Sequence, residues 1–382
     1  MILDVSVYLV VFTVTVYLAS LFQKTYNRTK IRYSSADGKN FNTVEYCVVG
    51  CLFIFPVIFM HGLRYGIGTD YFNYNQIYDA VHGASISNYW SLHNRGTKYF
   101  YIEPGYYILN KIFPSYRSLL WGIGILLFIL LLIAIKDYSK QINFAFALFV
   151  YLSTQYIYSL NGMRFAIAVV LILIAYKFLI RNKIKPFAAM VLFASLFHKT
   201  ALCCLAMMFL KRYKYKGVDR IRNIVLFAVI VSFPILSKIL LEILGNISLF
   251  DRYFATLLYS ASETMGTGWM WLLHIIPVLL PLILLCGKEI FHAEDTDILF
   301  RICIMEVPLR MLGLFNTWYT RLARYSQIAL VIFVPLVLSK IQNKQKKAIL
   351  YLYYIIWFIF YFAYYAIVND QGDSLPYAWI FS

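Results

Sequence analysis

The sequence predicts an all-α polytopic integral membrane protein of about ten transmembrane helices. Two observations carry this. Sixty-one per cent of the 382 residues are hydrophobic and only 14% are charged, against about 25% charged in an ordinary soluble domain. The chain also divides into apolar runs of about 20 residues, the length a helix needs to cross the hydrocarbon layer. A soluble core cannot hide that much apolar surface.

The runs lie at 2–22, 44–63, 117–135, 142–160, 165–180, 223–244, 269–286, 298–315, 325–339 and 348–367. The first has no basic leader and contains Asp4, so it reads as an anchor rather than a cleaved signal. The stretch 187–210 is apolar but is interrupted by FHKT at 197–200. It reads as a re-entrant hairpin or two short helices with His198 near the apex. All 382 residues read as a single polytopic membrane domain with one long external loop region, 64–116. Within that loop, EPGYYILNKIF (103–113) predicts a short interfacial helix. The cysteines at 47, 51, 203, 204, 286 and 303 lie in apolar runs without metal-site spacing, and they read as small buried hydrophobes.

Lysine and arginine orient the spans, because short cytoplasmic loops collect them. Loops 23–43 and 211–222 each carry five or more, and Lys136, Lys140, Lys177, Arg181, Lys183, Lys185, Lys340, Lys344, Lys346 and Lys347 close other spans. One register places these in the cytoplasm and both termini outside, provided that 187–210 begins and ends inside. The cytoplasmic side then holds 22 of the 35 basic residues. The net charge of +17 is therefore a topological signal and an attraction to anionic membrane lipids, not a nucleic-acid footprint.

The same register gathers the unusual polar groups on the outer side. Arg64, Asp70 and Asn73 follow the second span in LRYGIGTDYFNYNQIY (63–78), with Asp79 directly after it. Glu103 precedes the third span. NGMRF (161–165) joins two spans and puts Asn161 and Arg164 at the membrane edge. Arg321 and Arg324 open the 325–339 span. External arginines oppose the positive-inside bias. Together they make an anion site, since a guanidinium fork matches phosphate oxygens. A carboxylate or histidine beside it could move a proton, and Gly66 and Gly68 permit close backbone approach. The chemistry invited is transfer between a phosphate-bearing lipid and a hydroxyl. Plainer readings stand beside this one. Arg64 could anchor a span end with Asp70 as its partner, Glu103 could serve a helix N-terminus, and Glu306 and Arg310 could form an i,i+4 ion pair.

RYGIGTDYFNY, EPGY, NGMRFAIA and FHKTAL, in that order, resemble the motifs of the EpsG family, a branch of the Wzy-type polysaccharide polymerases. The likeness runs from about residue 45 to 340. It implies a glycosyltransferase without metal or other cofactor. Such an enzyme joins oligosaccharide repeat units, carried on undecaprenyl diphosphate, into capsule or exopolysaccharide at the outer face of the bacterial cytoplasmic membrane. Pathway partners would be a flippase and a chain-length regulator. Arg64, Gly68, Asp70 and Tyr74 fall on the first motif, and Glu103, Arg164 and His198 on the later ones. Arg321 and Arg324 rest on the charge argument alone. Asp70, His198 and Glu103 stand as candidate bases. A ligase using the same lipid donor and a lipid-linked glycan flippase are the rival functions.

Overall fold

The computed structural model describes residues 2–34, 43–85, 102–211, 272–311, 320–368 and 373–381. Among the described residues the chain is helical, with a single isolated bridge between Arg64 and Trp379. In chain order the helices are α1 (Ile2–Ser34), α2 (Thr43–Phe53), α3 (Phe55–Leu63), α4 (Tyr71–His82), α5 (Pro104–Ile112) and α6 (Tyr116–Lys136). Next come α7 (Phe144–Tyr151), a π turn (Leu152–Tyr156), α8 (Ile157–Asn161), α9 (Met163–Ile180), α10 (Ile184–Ser195) and a 3-10 helix (Lys199–Leu210). The last are α11 (Leu272–Phe291), α12 (Glu294–Ile304), α13 (Glu306–Met311), α14 (Thr320–Gln327), α15 (Leu330–Lys340) and α16 (Lys344–Ala363).

Five described helical stretches are long and apolar enough to cross a membrane: 5–27, 116–136, 163–180, 321–340 and 344–367. The pair α2 and α3, bent by 70°, is a sixth when taken as one span. Pro56 explains the bend, because it sits in the first turn of α3 and cannot continue the ladder of α2. The expected span 142–160 is α7 to α8, interrupted by the π turn. The expected span 298–315 breaks at Met305 between α12 and α13, and 223–244 lies outside the described residues.

Sequence chemistry sets the helix ends. Ser115 caps α6, accepting from the Ser118 amide while the Ser118 hydroxyl accepts from Ser115 N. Asn143 and Asn343 cap α7 and α16 by accepting from the amides of Phe146 and Lys346. Pro104 occupies the first turn of α5, where no amide is missed. The segment 187–210 resolves into two short helices that pack on each other, with His198 at their junction.

Helix α9 is apolar on every face, so it belongs at the centre. It packs against α6, α10 and α12, and from Ala166 to Tyr176 every residue is buried. Helix α15 is likewise buried along nearly all its length. Five of the six cysteines are at least partly shielded and unpaired, whereas Cys203 is exposed rather than buried.

The region 64–116 is not a plain loop ahead of its interfacial helix. Tyr71, Tyr74, Ile77, Tyr78 and Val81 repeat at helical spacing and bury one face of α4. That periodicity is carried by tyrosines, which hides it in a residue stretch so rich in Asn and Asp. Helices α4 and α5 pack on each other and on α6. The C-terminal segment closes the same end of the bundle. Tyr65 N donates to Ala378 O at 3.0 Å, Ile380 N to Leu63 O at 3.0 Å and Tyr8 Oη to Ser374 O at 2.9 Å.

Candidate active site

The first motif leaves α3 and folds onto the turn between α8 and α9. Gly68 makes this possible. Its φ is +101°, and an added Cβ would lie 3.1 Å from both the Asn161 Cα and the Leu160 carbonyl oxygen. The turn then clamps the motif: Asn161 Oδ1 accepts from Asp70 N at 2.9 Å and from Thr69 Oγ1 at 3.1 Å. Asn161 therefore holds the backbone of the motif. Asp70 remains half-buried at the start of α4, with Asn73 Nδ2 3.4 Å from its Oδ1.

Glu103 and Arg164, 61 residues apart, meet at 2.6 Å. Glu103 is 8% exposed and the Arg164 side chain 22%. The rings of Tyr74 and Tyr106 each lie 5.7 Å from the guanidinium carbon, and Tyr74 is also a side-chain hydrogen-bond partner of Arg164. Two aromatic faces and a carboxylate thus hold one guanidinium at the N-terminus of α9. The other Glu103 oxygen is 3.4 Å from Lys199 N. Gly105 brings α5 to the junction of α10 with the 3-10 helix. Its amide donates to Leu196 O at 2.8 Å, and a Cβ there would sit 2.8 Å from that oxygen. EPGY, NGMRF and FHKT thereby converge.

His198 is half-buried. Phe165 stands edge-on to its ring at 5.1 Å, and Nδ1 lies 2.6 Å from Thr200 Oγ1. Burial first, then the nearby charges of Arg164, Arg321 and Lys199, push the imidazole down to about 3. His198 is therefore neutral throughout the physiological range.

Arg324 completes the second group. It is 6% exposed, its guanidinium carbon lies 3.9 Å over the Tyr158 ring, and Nη1 donates to Thr154 O at 3.2 Å. Thr154 lies in the π turn, where the regular ladder is interrupted. Tyr158 is within electrostatic reach of Arg321, Arg324, Tyr74 and Asp70, so it links the two groups. Beneath Arg324 runs a buried polar chain. Gln155 Nε2 donates to Gln327 Oε1 at 2.9 Å, and Gln327 Nε2 to Tyr361 Oη at 2.7 Å.

One expectation changes. Arg64 neither pairs with Asp70 nor reaches the cluster. It is fully buried, with Nη1 3.0 Å from His61 Nδ1 and 3.1 Å from His61 O, and Nη2 3.0 Å from Met163 Sδ. Folding of the motif over α9 turns this side chain inward, where it ties α3 to α9. Arg301 pairs with Asp297 at 2.9 Å, and Glu306 with Arg310 at 2.6 Å, the i,i+4 ion pair that their spacing leads one to expect.

Sequence reasoning passed over Tyr106, Tyr158, Thr200, Tyr325 and Gln327. Tyr106 lies in EPGY and Thr200 in FHKT, and the others stand beside stretches already singled out, but among 33 tyrosines none is distinguished by type.

No curated protein and no solved structure matches the chain. The profile of one family does match, over residues 47–379, a range that includes every group just described. On that match the chain belongs to the EpsG family, whose members are Wzy-like polysaccharide polymerases.

Proposed function

We propose that the protein polymerises oligosaccharide repeat units carried on undecaprenyl diphosphate, by glycosyl transfer at the outer face of the bacterial cytoplasmic membrane. The observation that carries this is the Arg164 cradle. Three motifs far apart in sequence converge to hold one guanidinium between a carboxylate and two aromatic rings, at the end of a central helix. A fixed guanidinium suits a diphosphate.

In the reaction the donor's anomeric C–O bond to diphosphate breaks, and the diphosphate leaves with the bonding pair. The acceptor hydroxyl oxygen forms the new bond, and its proton passes to a base. Arg164 and Arg324 stabilise the charge that grows on the leaving group. Glu103 holds Arg164 in place, because its two oxygens are engaged by Arg164 and Lys199 N. Asp70 is the carboxylate left for the proton. It is half-buried, and its backbone is fixed by Asn161. The product is a glycan longer by one repeat unit, with free undecaprenyl diphosphate.

The test gives the purified protein a synthetic undecaprenyl-diphosphate repeat unit. A polymer ladder that Asp70→Asn abolishes supports the reading. No ladder with a matched substrate overturns the function, and a ladder unchanged in Asp70→Asn overturns the assigned base.

A further inference from the structure

Which nitrogen of His198 carries its proton decides whether the atom left for a ligand accepts or donates a hydrogen bond. Nδ1 lies 2.6 Å from Thr200 Oγ1, and the same hydroxyl lies 3.0 Å from Tyr325 Oη. Thr200 has one proton to give; if its hydroxyl accepted from both neighbours, that proton would have no acceptor among the described residues, so the chain runs in one of two directions. With the proton on Nδ1, His198 donates to Thr200, Thr200 donates to Tyr325, and the phenol proton needs another acceptor. Tyr325 is 1% exposed. Among the described residues its hydroxyl has no partner besides Thr200. A buried donor left unmet is strongly disfavoured. In the opposite direction Tyr325 donates to Thr200, Thr200 donates to Nδ1, and every proton in the chain is met.

We propose that Thr200 and Tyr325 are positioning residues that hold His198 as the Nε2–H tautomer, making it a neutral hydrogen-bond donor and not the base. The chain is anchored from below. Tyr176 Oη donates to the Tyr325 carbonyl oxygen at 2.6 Å, and Phe165 packs on both Tyr325, at 4.9 Å, and His198. The charged groups facing the imidazole are Arg164, Arg321 and Lys199, with Glu103 bound to Arg164 and to the Lys199 amide. Three cations against one engaged carboxylate disfavour a second proton on the ring. Nε2 has no partner among the described residues, so its N–H is the free donor of the ring. An anionic diphosphate oxygen is the matching acceptor. That target rests on the function proposed above; the tautomer does not.

The experiment uses the full chain in lipid nanodiscs with 15N-histidine, read by two-bond proton–nitrogen correlation. His198→Gln identifies the His198 signals by subtraction. The expected pattern is a protonated Nε2 and an unprotonated Nδ1, unchanged between about pH 5 and 8. Thr200→Val removes the donor to Nδ1 at nearly constant shape, and the pattern becomes a tautomer mixture. Thr200→Ser keeps the pattern, and Tyr325→Phe weakens it. With the lipid-linked substrate, Thr200→Val slows polymerisation roughly tenfold, as for one lost hydrogen bond, and Thr200→Ser restores it. A protonated Nδ1 in the unaltered protein, a ring that titrates in that pH range, or a pattern unmoved by Thr200→Val overturns the proposal. An Nε2–H pattern in a protein that makes no polymer upholds the tautomer and overturns the function instead.

Discussion

At one end of α9, Arg164 sits 2.6 Å from Glu103 with two tyrosine rings about its guanidinium. At the other end, roughly 20–26 Å away by helix rise, Lys177 and Arg181 reach towards Asp137 at 3.5 and 3.6 Å. The difference repeats across the bundle. Lys136 meets Thr43, Lys340 meets Asp295 and Lys346 meets Glu289, all through flexible lysines at partly exposed positions. The Arg164 end instead uses arginines, aromatic faces and backbone clamps in shielded surroundings. Long ion pairs in solvent contribute little and come apart freely. A shielded guanidinium on a built frame keeps one geometry, which is what an anionic substrate requires. On the function proposed above, the positive charge that serves the chemistry is set apart by its surroundings, not by its number.

The contrast breaks most sharply at Arg164. Arg164→Ala should lower the polymerisation rate by about a hundredfold or more, read from ladder formation at saturating substrate. Arg164→Lys should recover little of it, since an ammonium lacks the planar fork. Glu103→Gln removes one charge from a largely buried pair. It should cost about 1.5–3 kcal/mol, seen as a lower unfolding temperature in detergent. Gly68→Ala should cost about 1–3 kcal/mol. It forces a Cβ onto a φ of +101° and against the Leu160 carbonyl, loosening the first motif from α9. The same unfolding assay measures it. Asp137→Asn, at the opposite end, should cost under about 1 kcal/mol and leave the ladder unchanged. A ladder as impaired in Asp137→Asn as in Arg164→Ala would erase the distinction between the two ends.

Several parts of this arrangement were legible in the residues alone. FHKT interrupts an apolar run, and the chain breaks there into two short helices. EPGY opens a helix because proline suits a first turn. Glu306 and Arg310 pair because i,i+4 spacing brings them together whatever else the fold does. These are local consequences of covalent geometry and hydrophobic period. Arg64 was not legible. Its sequence neighbour Asp70 suggested a partner, but the docking of Gly68 on the α8–α9 turn sends the guanidinium inward to His61. Helix α4 was hidden because its buried face is made of tyrosines, which also suit loops and interfaces.

Composition and lysine placement determined that this chain is a bundle of apolar helices with polar motifs collected at one end. They do so because apolar helix length and positive loop charge are properties of segments. Only the tertiary structure decided which motif residues share a site. Glu103 meets Arg164 across 61 residues, and Thr200 meets Tyr325 across 125. Such pairings depend on how helices pack and at what angle, and no local rule of spacing carries that information. The role of His198 belongs to the same class. One imidazole offers a base or a donor from its type alone; on the proposal above the choice falls to Thr200, two residues on, only because Tyr325 reaches it from 125 residues further along the chain.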